Sequence, residues 1–99
     1  MNGWEEVVRG TVLALQELVK QSRGNCITFT PKKIAKHAGL DTKPVTLTQI
    51  RCLLEELRRQ GLLELWKNST HYKKYMLHKK SPLWRLLEEK PEKLIEVLK

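Results

Sequence analysis

The stretch Thr30-Pro-Lys-Lys-Ile-Ala-Lys-His-Ala-Gly-Leu40 contains a short helix whose two ends are both marked in the sequence. Thr30 can cap a helix, and Pro31 fits the first turn because no helical hydrogen bond needs its missing N–H. Gly39 favours the left-handed conformation in which many helices end. The sequence therefore predicts a helix over Pro31–Ala38. The side chains predicted to point inward from it are Ile34 and Ala35.

A longer helix is predicted next, starting between Pro44 and Thr46, running to Gln60 and ended by Gly61. Three- and four-residue spacing predicts its buried face, which consists of Leu47, Ile50, Leu53, Leu54 and Leu57. Winding this helix at 3.6 residues per turn places a second set furthest outward: Val45, Thr48, Cys52, Glu55 and Arg59. Gln49 and Arg51 then lie on its flanks.

The remaining elements are predicted from periodicity and from turn residues. An amphipathic helix covers residues 4–21, a short strand covers Cys26–Phe29, and Leu62–Trp66 and Tyr72–Leu77 form a hairpin with a five-residue loop. A last helix opens at Ser81-Pro82, and Pro91 kinks or restarts it. The predicted class is mainly α with a small β-hairpin (α+β), with one domain over residues 1–80. Residues 81–99 form a C-terminal helix for dimerisation or packing.

The net charge of this 99-residue chain lies in its middle segment. The formal charge of +8 comes entirely from Pro31–Lys80, where twelve basic residues stand against four acidic ones, while the flanking segments are neutral. A basic helix–turn–helix and hairpin between neutral helices is typical of a module that binds nucleic acid. The alternative is that these lysines form only a solvated basic surface.

The order helix, short strand, helix, helix, strand, loop, strand, helix resembles the winged-helix variant of the helix-turn-helix superfamily, over residues 4 to about 80. The resemblance is carried by Thr30–Leu40, by the helix Val45–Gln60, and by Leu-Arg-Arg-Gln-Gly-Leu-Leu-Glu at residues 57–64, where a helix passes through glycine into a strand. These segments are similar to small archaeal winged-helix DNA-binding proteins. The resemblance implies that Thr46–Arg59 enters the major groove and that Lys67–Lys74 touches backbone or minor groove.

Two sets of side chains are candidates for contact with DNA. The first turns of the long helix offer side chains whose hydrogen-bonding groups suit base edges: Thr46, Thr48, Gln49 and Arg51. The candidates for backbone contact are Lys32, Lys33, Lys36, Lys43, Arg59, Lys67, Asn68, Ser69, His71, Lys73 and Lys74. The lysines of Pro31–Ala38 also lie at a helix start, where free N–H groups favour a phosphate.

Some residues complicate this interpretation. Glu55 and Glu56 would repel phosphates, so we expect the helix to meet DNA by its first two turns only, or not to enter DNA at all. Trp66, Tyr72 and Tyr75 alternate with basic residues and can stack on unpaired bases, but packing against the core is the favoured prediction.

The C-terminal helix carries an apolar stripe of Leu83, Leu87, Leu94 and Val97, interrupted at Pro91. Its spacing fits a coiled-coil seam, so we expect this stripe to form a homodimer interface that spaces two recognition helices about one DNA turn apart. The alternative is that the helix folds back onto its own domain, with Trp84 in the core.

Other classes of site lack support in the sequence. Cys26 and Cys52 are predicted to remain reduced or to form one disulfide, and with the three histidines they lack the close ligand spacing of a zinc site. Because there is no glycine-rich phosphate loop or nucleophile elbow, we expect no enzyme, no cofactor and no small-molecule substrate. No apolar run is long enough to cross a bilayer, and no basic region with an apolar stretch opens the chain, so we expect no membrane partner and a cytoplasmic, nucleoid-associated protein.

The sequence thus predicts a small non-enzymatic protein that binds double-stranded DNA as a homodimer, as a transcriptional regulator or a chromatin-like architectural factor. One alternative is a protein-interaction winged-helix subunit of a larger complex, docked through the long helix. Another is binding of RNA or single strands through the hairpin aromatics.

Overall fold

The structure is a computed structural model that describes residues 3–68 and 73–98. In chain order, the described elements are α1 (Trp4–Gln21), β1 (Cys26–Phe29), α2 (Pro31–Ala38), α3 (Pro44–Arg59), β2 (Glu64–Asn68), β3 (Lys73–His78), α4 (Pro82–Glu89) and α5 (Pro91–Leu98). The predicted α+β class is confirmed, with mostly helices and one small antiparallel sheet. None of the helices in the described ranges is long and apolar enough to cross a membrane.

The ends predicted for α2 are confirmed by hydrogen bonds. Thr30 Oγ1 accepts a hydrogen bond from the Lys33 N–H at 3.2 Å, and proline occupies the first turn. Gly39 has φ of 72°, and the Leu40 N–H behind it donates to the Ala35 carbonyl oxygen at 2.9 Å. Since an L side chain is strained at this φ, glycine fixes the turn that separates α2 from α3.

A second glycine turn ends α3 and sets the start of the hairpin. Gly61 has φ of 79°, and the Leu62 N–H donates to the Leu57 carbonyl oxygen at 3.0 Å. This turn uses Leu62 and brings Leu63 into the core. The strand predicted to begin at Leu62 therefore begins at Glu64.

The sheet has the strand order β1-β3-β2 and is antiparallel throughout. Phe29 of β1 lies opposite Tyr75 of β3, and their rings stack with centroids 6.4 Å apart. Leu65 of β2 also pairs with Tyr75, but Lys67 pairs with Lys74, which leaves Trp66 as an extra residue in β2. Such a β-bulge bends and twists the strand that carries it.

Helices and sheet enclose one hydrophobic core. Its largest fully buried side chains include Tyr75 and Phe29 from the sheet, Leu15 from α1 and Ile50 from α3. Because α1 packs against four other helices, the core is organised around it.

The C-terminal segment belongs to this same core. Pro91 restarts the chain as α5 after a break at Lys90, as predicted, and both short helices pack on α1. Leu83 and Leu87 are fully buried, and Leu94 is 4% exposed. The prediction that these residues form a dimer interface is wrong, because their apolar surface is already covered within the protomer. Val97 is 79% exposed and is the one member of that stripe outside the core.

Cys26 and Cys52 are both exposed free thiols in the structure. The disulfide that the sequence allowed is absent, since Cys26 lies on β1 and Cys52 on the outer side of α3.

Candidate nucleic-acid interface

The exposed side of α2 carries Lys32, Lys33 and Lys36. Helical periodicity places them opposite the buried residues Pro31 and Ile34. None of the three lysines forms an ion pair with an acidic side chain of residues 3–68 or 73–98. Three uncompensated charges within two turns of helix favour an anionic partner.

The backbone at the start of α2 contributes less than the sequence indicated. Pro31 has no N–H, and the Lys33 N–H already donates to Thr30 Oγ1. At most the Lys32 N–H is left for a ligand in the first turn. Attraction of a phosphate to this helix therefore depends on the lysine side chains.

Thr46 is too deeply buried to contact a base, because its side chain is only 1% exposed. Thr46 precedes Ile50 by one turn and so continues the buried row of α3. The prediction of a base contact here is wrong. Val45 is 51% exposed and lies in the first turn of α3 next to Thr46. It is predicted to point outward, with no contact assigned to it.

Three other predicted reading residues differ in exposure. Thr48 and Arg51 are exposed on the outer side of α3, whereas Gln49 is half-buried on one flank. Gln49 Oε1 is buried and has no hydrogen-bond partner among the described residues. Thr48 and Arg51 are therefore presented directly, while Gln49 must rotate outward to reach a base edge.

The turn between α2 and α3 is held by Asp41. Its Oδ1 accepts a hydrogen bond from the Lys43 N–H at 3.1 Å, so the carboxylate fixes the backbone that carries Lys43. The Thr46 hydroxyl and then this N–H hold the pKa of Asp41 below its ordinary value. Lys43 is exposed beside the first turn of α3.

Since α2 and α3 pack on each other, we group the exposed basic and polar side chains of both helices as one candidate surface. We name it the α2–α3 face, and it consists of Lys32, Lys33, Lys36, Lys43, Thr48 and Arg51.

Glu55, which seemed to oppose DNA binding, is compensated by its neighbours. Its carboxylate accepts hydrogen bonds from the Arg58 guanidinium, the shortest at 2.8 Å, and from the Tyr75 hydroxyl at 2.6 Å. The ammonium nitrogen of Lys73 is 3.7 Å from Glu55 Oε2. We call these four residues, Glu55, Arg58, Lys73 and Tyr75, the α3–β3 junction.

The electrostatics of the α3–β3 junction keep Glu55 ionised. Hydrogen bonds from Arg58 and then Tyr75 lower the pKa of Glu55 to about 2, against the opposing effect of its partial burial. Burial and the adjacent carboxylate raise the pKa of Tyr75, which remains a neutral donor. Two cations thus surround one anion, and the local net charge is positive.

Glu56 and Arg59 lie on the other flank of α3. The Arg59 guanidinium pairs with the Glu56 carboxylate, which also accepts a hydrogen bond from the Gln60 side chain at 3.1 Å. The charge of Arg59, a predicted backbone contact, is therefore compensated in the free protein.

The lysines of the hairpin lie on two different sides of the sheet. Tyr75 and Leu77 are buried, so Lys73, two residues before Tyr75, faces the α3 side. Lys74 faces the opposite side, and Lys67 shares that side because the two are paired across the strands. The predicted backbone contacts of Lys67 and Lys74 would therefore be made from the side of the sheet opposite to α3, whereas Lys73 faces the α3 side.

The exposed Trp66 also departs from expectation. It is 58% exposed, whereas Tyr75 is fully buried. The prediction of packing in the core is therefore wrong for Trp66 and confirmed for Tyr75. Leu65 fills the core-facing position beside Tyr75, so alternation along β2 turns the next residue, Trp66, away from the core. We call this side of the sheet, with Trp66, Lys67, Lys74, Met76 and His78, the outer sheet face. The predicted contacts of Ser69, His71, Tyr72 and the Asn68 side chain lie outside the described residues.

A shallow groove runs along the far flank of α3. It has a volume of about 400 Å³, and Trp4 of α1, Glu56 of α3 and Val97 of α5 are among its lining residues. No cluster of three or more histidine, cysteine or acidic side chains able to hold a metal ion occurs within the described part of the chain.

No protein-family model matches this chain, and neither a curated protein nor a solved structure matches it significantly.

Proposed function

We propose that this chain is a non-enzymatic winged-helix protein that binds double-stranded DNA through the α2–α3 face, as a transcriptional regulator or an architectural factor. The observation that carries the proposal is the uncompensated charge of Lys32, Lys33 and Lys36 on α2, which packs against the helix that carries the exposed Thr48 and Arg51. Uncompensated cations next to side chains that suit base edges are what a duplex-reading surface requires.

In this proposal the lysines of α2 contact phosphates and α3 reads bases by its first two turns. Arg51 can donate both its terminal N–H groups to guanine, and Thr48 and Val45 can contact a base edge or a thymine methyl. The α3–β3 junction supports this orientation because Glu55 is neutralised by Arg58 and Lys73. The proposal requires no dimer, since the predicted interface leucines lie in the core.

Salt dependence tests the phosphate contacts. If Lys32, Lys33, Lys36 and Lys43 each neutralise one phosphate, log Kobs should fall with log salt at a slope of about −3.6. The measurement is fluorescence anisotropy of a labelled duplex at several salt concentrations. Duplex binding that does not weaken with salt would contradict the proposal.

Substitutions separate base reading from positioning. Arg51→Ala combined with Gln49→Ala should reduce discrimination between preferred and random duplexes, because bidentate contacts are worth about 1–3 kcal/mol each. Lys33→Ala should weaken binding to all sequences alike and lower the salt slope by about 1. Lys93→Ala, an exposed lysine of α5, is the matched control and should change neither.

A second candidate function is a protein-interaction subunit. The groove with Trp4, 39% exposed, and Val97, 79% exposed, favours it, because exposed apolar side chains rimmed by the Glu56–Arg59 pair resemble a protein-binding surface. Purification with a stoichiometric protein, together with no shift of duplex DNA, would support this candidate over DNA binding.

A further inference from the structure

We propose that the outer sheet face is a second nucleic-acid site that binds a single strand by stacking an unpaired base on Trp66, with Lys67 and Lys74 contacting the adjacent phosphates. This site is separate from the α2–α3 face, because β2 and β3 carry it.

The position of Trp66 is the first observation. The side chain is 58% exposed, although tryptophan is a residue that folded proteins usually cover to a large extent. It occupies the extra position of the β-bulge between Leu65 and Lys67. Because Trp66 follows the core-facing Leu65, alternation along β2 directs its large aromatic ring to solvent at the sheet edge, and the bulge keeps Lys67 on that same side.

The pairing of Lys67 with Lys74 is the second observation. Like charges directly opposite each other on antiparallel strands destabilise a sheet. Neither lysine forms an ion pair with an acidic side chain of the described residues. Without the bulge, Lys67 would alternate onto the core side, so the bulge is what places Lys67 on the outer side with Trp66 and creates the lysine pair. An anion between the two ammonium groups removes their repulsion.

The combination favours a single strand over a duplex. In a duplex the base faces are covered by stacking, whereas every unpaired base has a free π-face for an aromatic side chain. A phosphate lies next to every base, so an aromatic ring beside a pair of cations matches the repeat of the strand. The burial of Tyr75 leaves Trp66 as the stacking residue that the described part of the hairpin offers.

The charges around the outer sheet face fit a polyanion. Glu64, which pairs with Met76, is the acidic side chain of this face, and it is exposed. A hollow of about 410 Å³ lined by Glu64, Met76, His78 and Lys80, among others, continues the face toward α4, so the carboxylate of Glu64 and the ammonium of Lys80 share it. Lys80 therefore adds a third cation along the direction that a strand would follow.

Tryptophan fluorescence tests the proposal directly. Titration with a short oligothymidylate should quench the emission of the wild-type protein, and the quenching should disappear in Trp66→Phe while binding is retained. In Trp66→Ala the affinity for the oligonucleotide should fall about tenfold, as expected for loss of one base stack. Trp4→Ala, which removes the exposed tryptophan of α1, is the matched control and should leave the affinity unchanged.

The lysines are tested by salt dependence. The double variant Lys67→Ala, Lys74→Ala should lower the slope of log Kobs against log salt for the oligothymidylate by about 1.4. Circular dichroism and thermal unfolding establish that each variant is folded.

The outcomes distinguish this proposal from the proposed function. Equal quenching in wild type and Trp66→Phe, or an affinity that Trp66→Ala does not change, overturns the single-strand site. Loss of duplex binding in Arg51→Ala with unchanged Trp66 quenching supports two separate sites. A protein that quenches with single strands but never binds duplex retains this site and loses the proposed function. Oligonucleotide-independent self-association that Trp66→Ala abolishes would assign the face to a second copy of the chain and overturn the proposal.

Discussion

The environment of Glu55 in the structure differs from the one that the sequence predicts. On a helical wheel it points outward among the residues expected to face DNA. In the fold, the same direction leads to β3, where Tyr75 and Lys73 meet its carboxylate. The residue that seemed to repel phosphates instead anchors the hairpin to α3 and holds Arg58 in place.

The Tyr75–Glu55 hydrogen bond should contribute measurably to stability. Tyr75→Phe removes a hydrogen bond to a charged acceptor, and we expect the free energy of unfolding at neutral pH to fall by about 1.5–3 kcal/mol. A double-mutant cycle with Glu55→Gln in urea denaturation should give a coupling of about 0.5 kcal/mol or more. Additive effects of the two substitutions would mean that the contact contributes nothing. Glu64→Gln, exposed on β2, is the control.

The depressed pKa of Glu55 predicts a pH dependence with a definite sign. Its value of about 2 in the folded protein lies below the ordinary value of 4.5, so its contribution to stability is fully present above pH 4.5. That contribution is lost as the pH falls from 4.5 toward 2. The difference in unfolding free energy between wild type and Glu55→Gln should therefore shrink across this interval, measured by urea denaturation at successive pH values. A constant difference would contradict the assignment.

At the level of elements, residues with backbone constraints were the most informative in the sequence. The bounds of α2 follow from Thr30, Pro31 and Gly39, each of which acts through its own backbone or its nearest neighbours. The turn after α3 was equally visible in Gly61, although β2 began later than predicted because that turn uses the next residue.

The candidate sites were less predictable because they depend on pairing between distant segments. Nothing local in Glu64–Asn68 reveals the bulge, since it exists only in the register between β2 and β3. Without that register, the sequence alone does not show that Trp66 lies outside the core and Tyr75 inside it. Nor does it show that Lys67 and Lys73 lie on opposite sides of the sheet. The predicted base contact of Thr46 is wrong for a different reason. Its side chain is polar, so the hydrophobic pattern does not show that its position belongs to the buried row through Ile50.

Close approach of α1 and α2 occurs at Gly10. A Cβ added there would lie 3.1 Å from the Ala38 Cβ and 3.2 Å from Leu40 Cδ1. The Ala38 Cβ is fixed to the α2 backbone and cannot retreat, so overpacking, at about 1–3 kcal/mol, should outweigh the gain of about 1 kcal/mol in helix propensity. We expect Gly10→Ala to lower the melting temperature. Gly24→Ala, where a Cβ meets nothing within 4 Å, is the control, and an unchanged melting temperature for Gly10→Ala would disprove the expectation.

For the whole molecule, the C-terminal helices complete the core and do not join two copies through their leucines. Leu87 is fully buried, so Leu87→Ala should reduce the unfolding free energy by about 2–5 kcal/mol. Because the loss is internal, it should be the same at every protein concentration, as measured by denaturation at dilute and concentrated protein. A destabilisation that appears only on dilution would instead indicate a dimer held by this residue.

Charge and packing are divided between different parts of this molecule. α1, α4 and α5 cover the core and are close to neutral, whereas α2, the front of α3 and the outer sheet face carry the uncompensated cations. If both proposed surfaces bind nucleic acid, one small protein would hold two stretches of it at once.

The break at Lys90 determines where local unfolding of this chain should begin. It divides the C-terminal segment into two helices of eight residues, each too short to persist in water without its neighbours. They are held by docking onto α1, by the Ser81 hydroxyl donating to the Leu62 carbonyl oxygen at 2.9 Å, and by the surface pair Arg9–Glu92. Undocking would melt both helices together and expose the apolar side of α1, so local opening, protease cleavage and misassembly should all begin at this end of the fold.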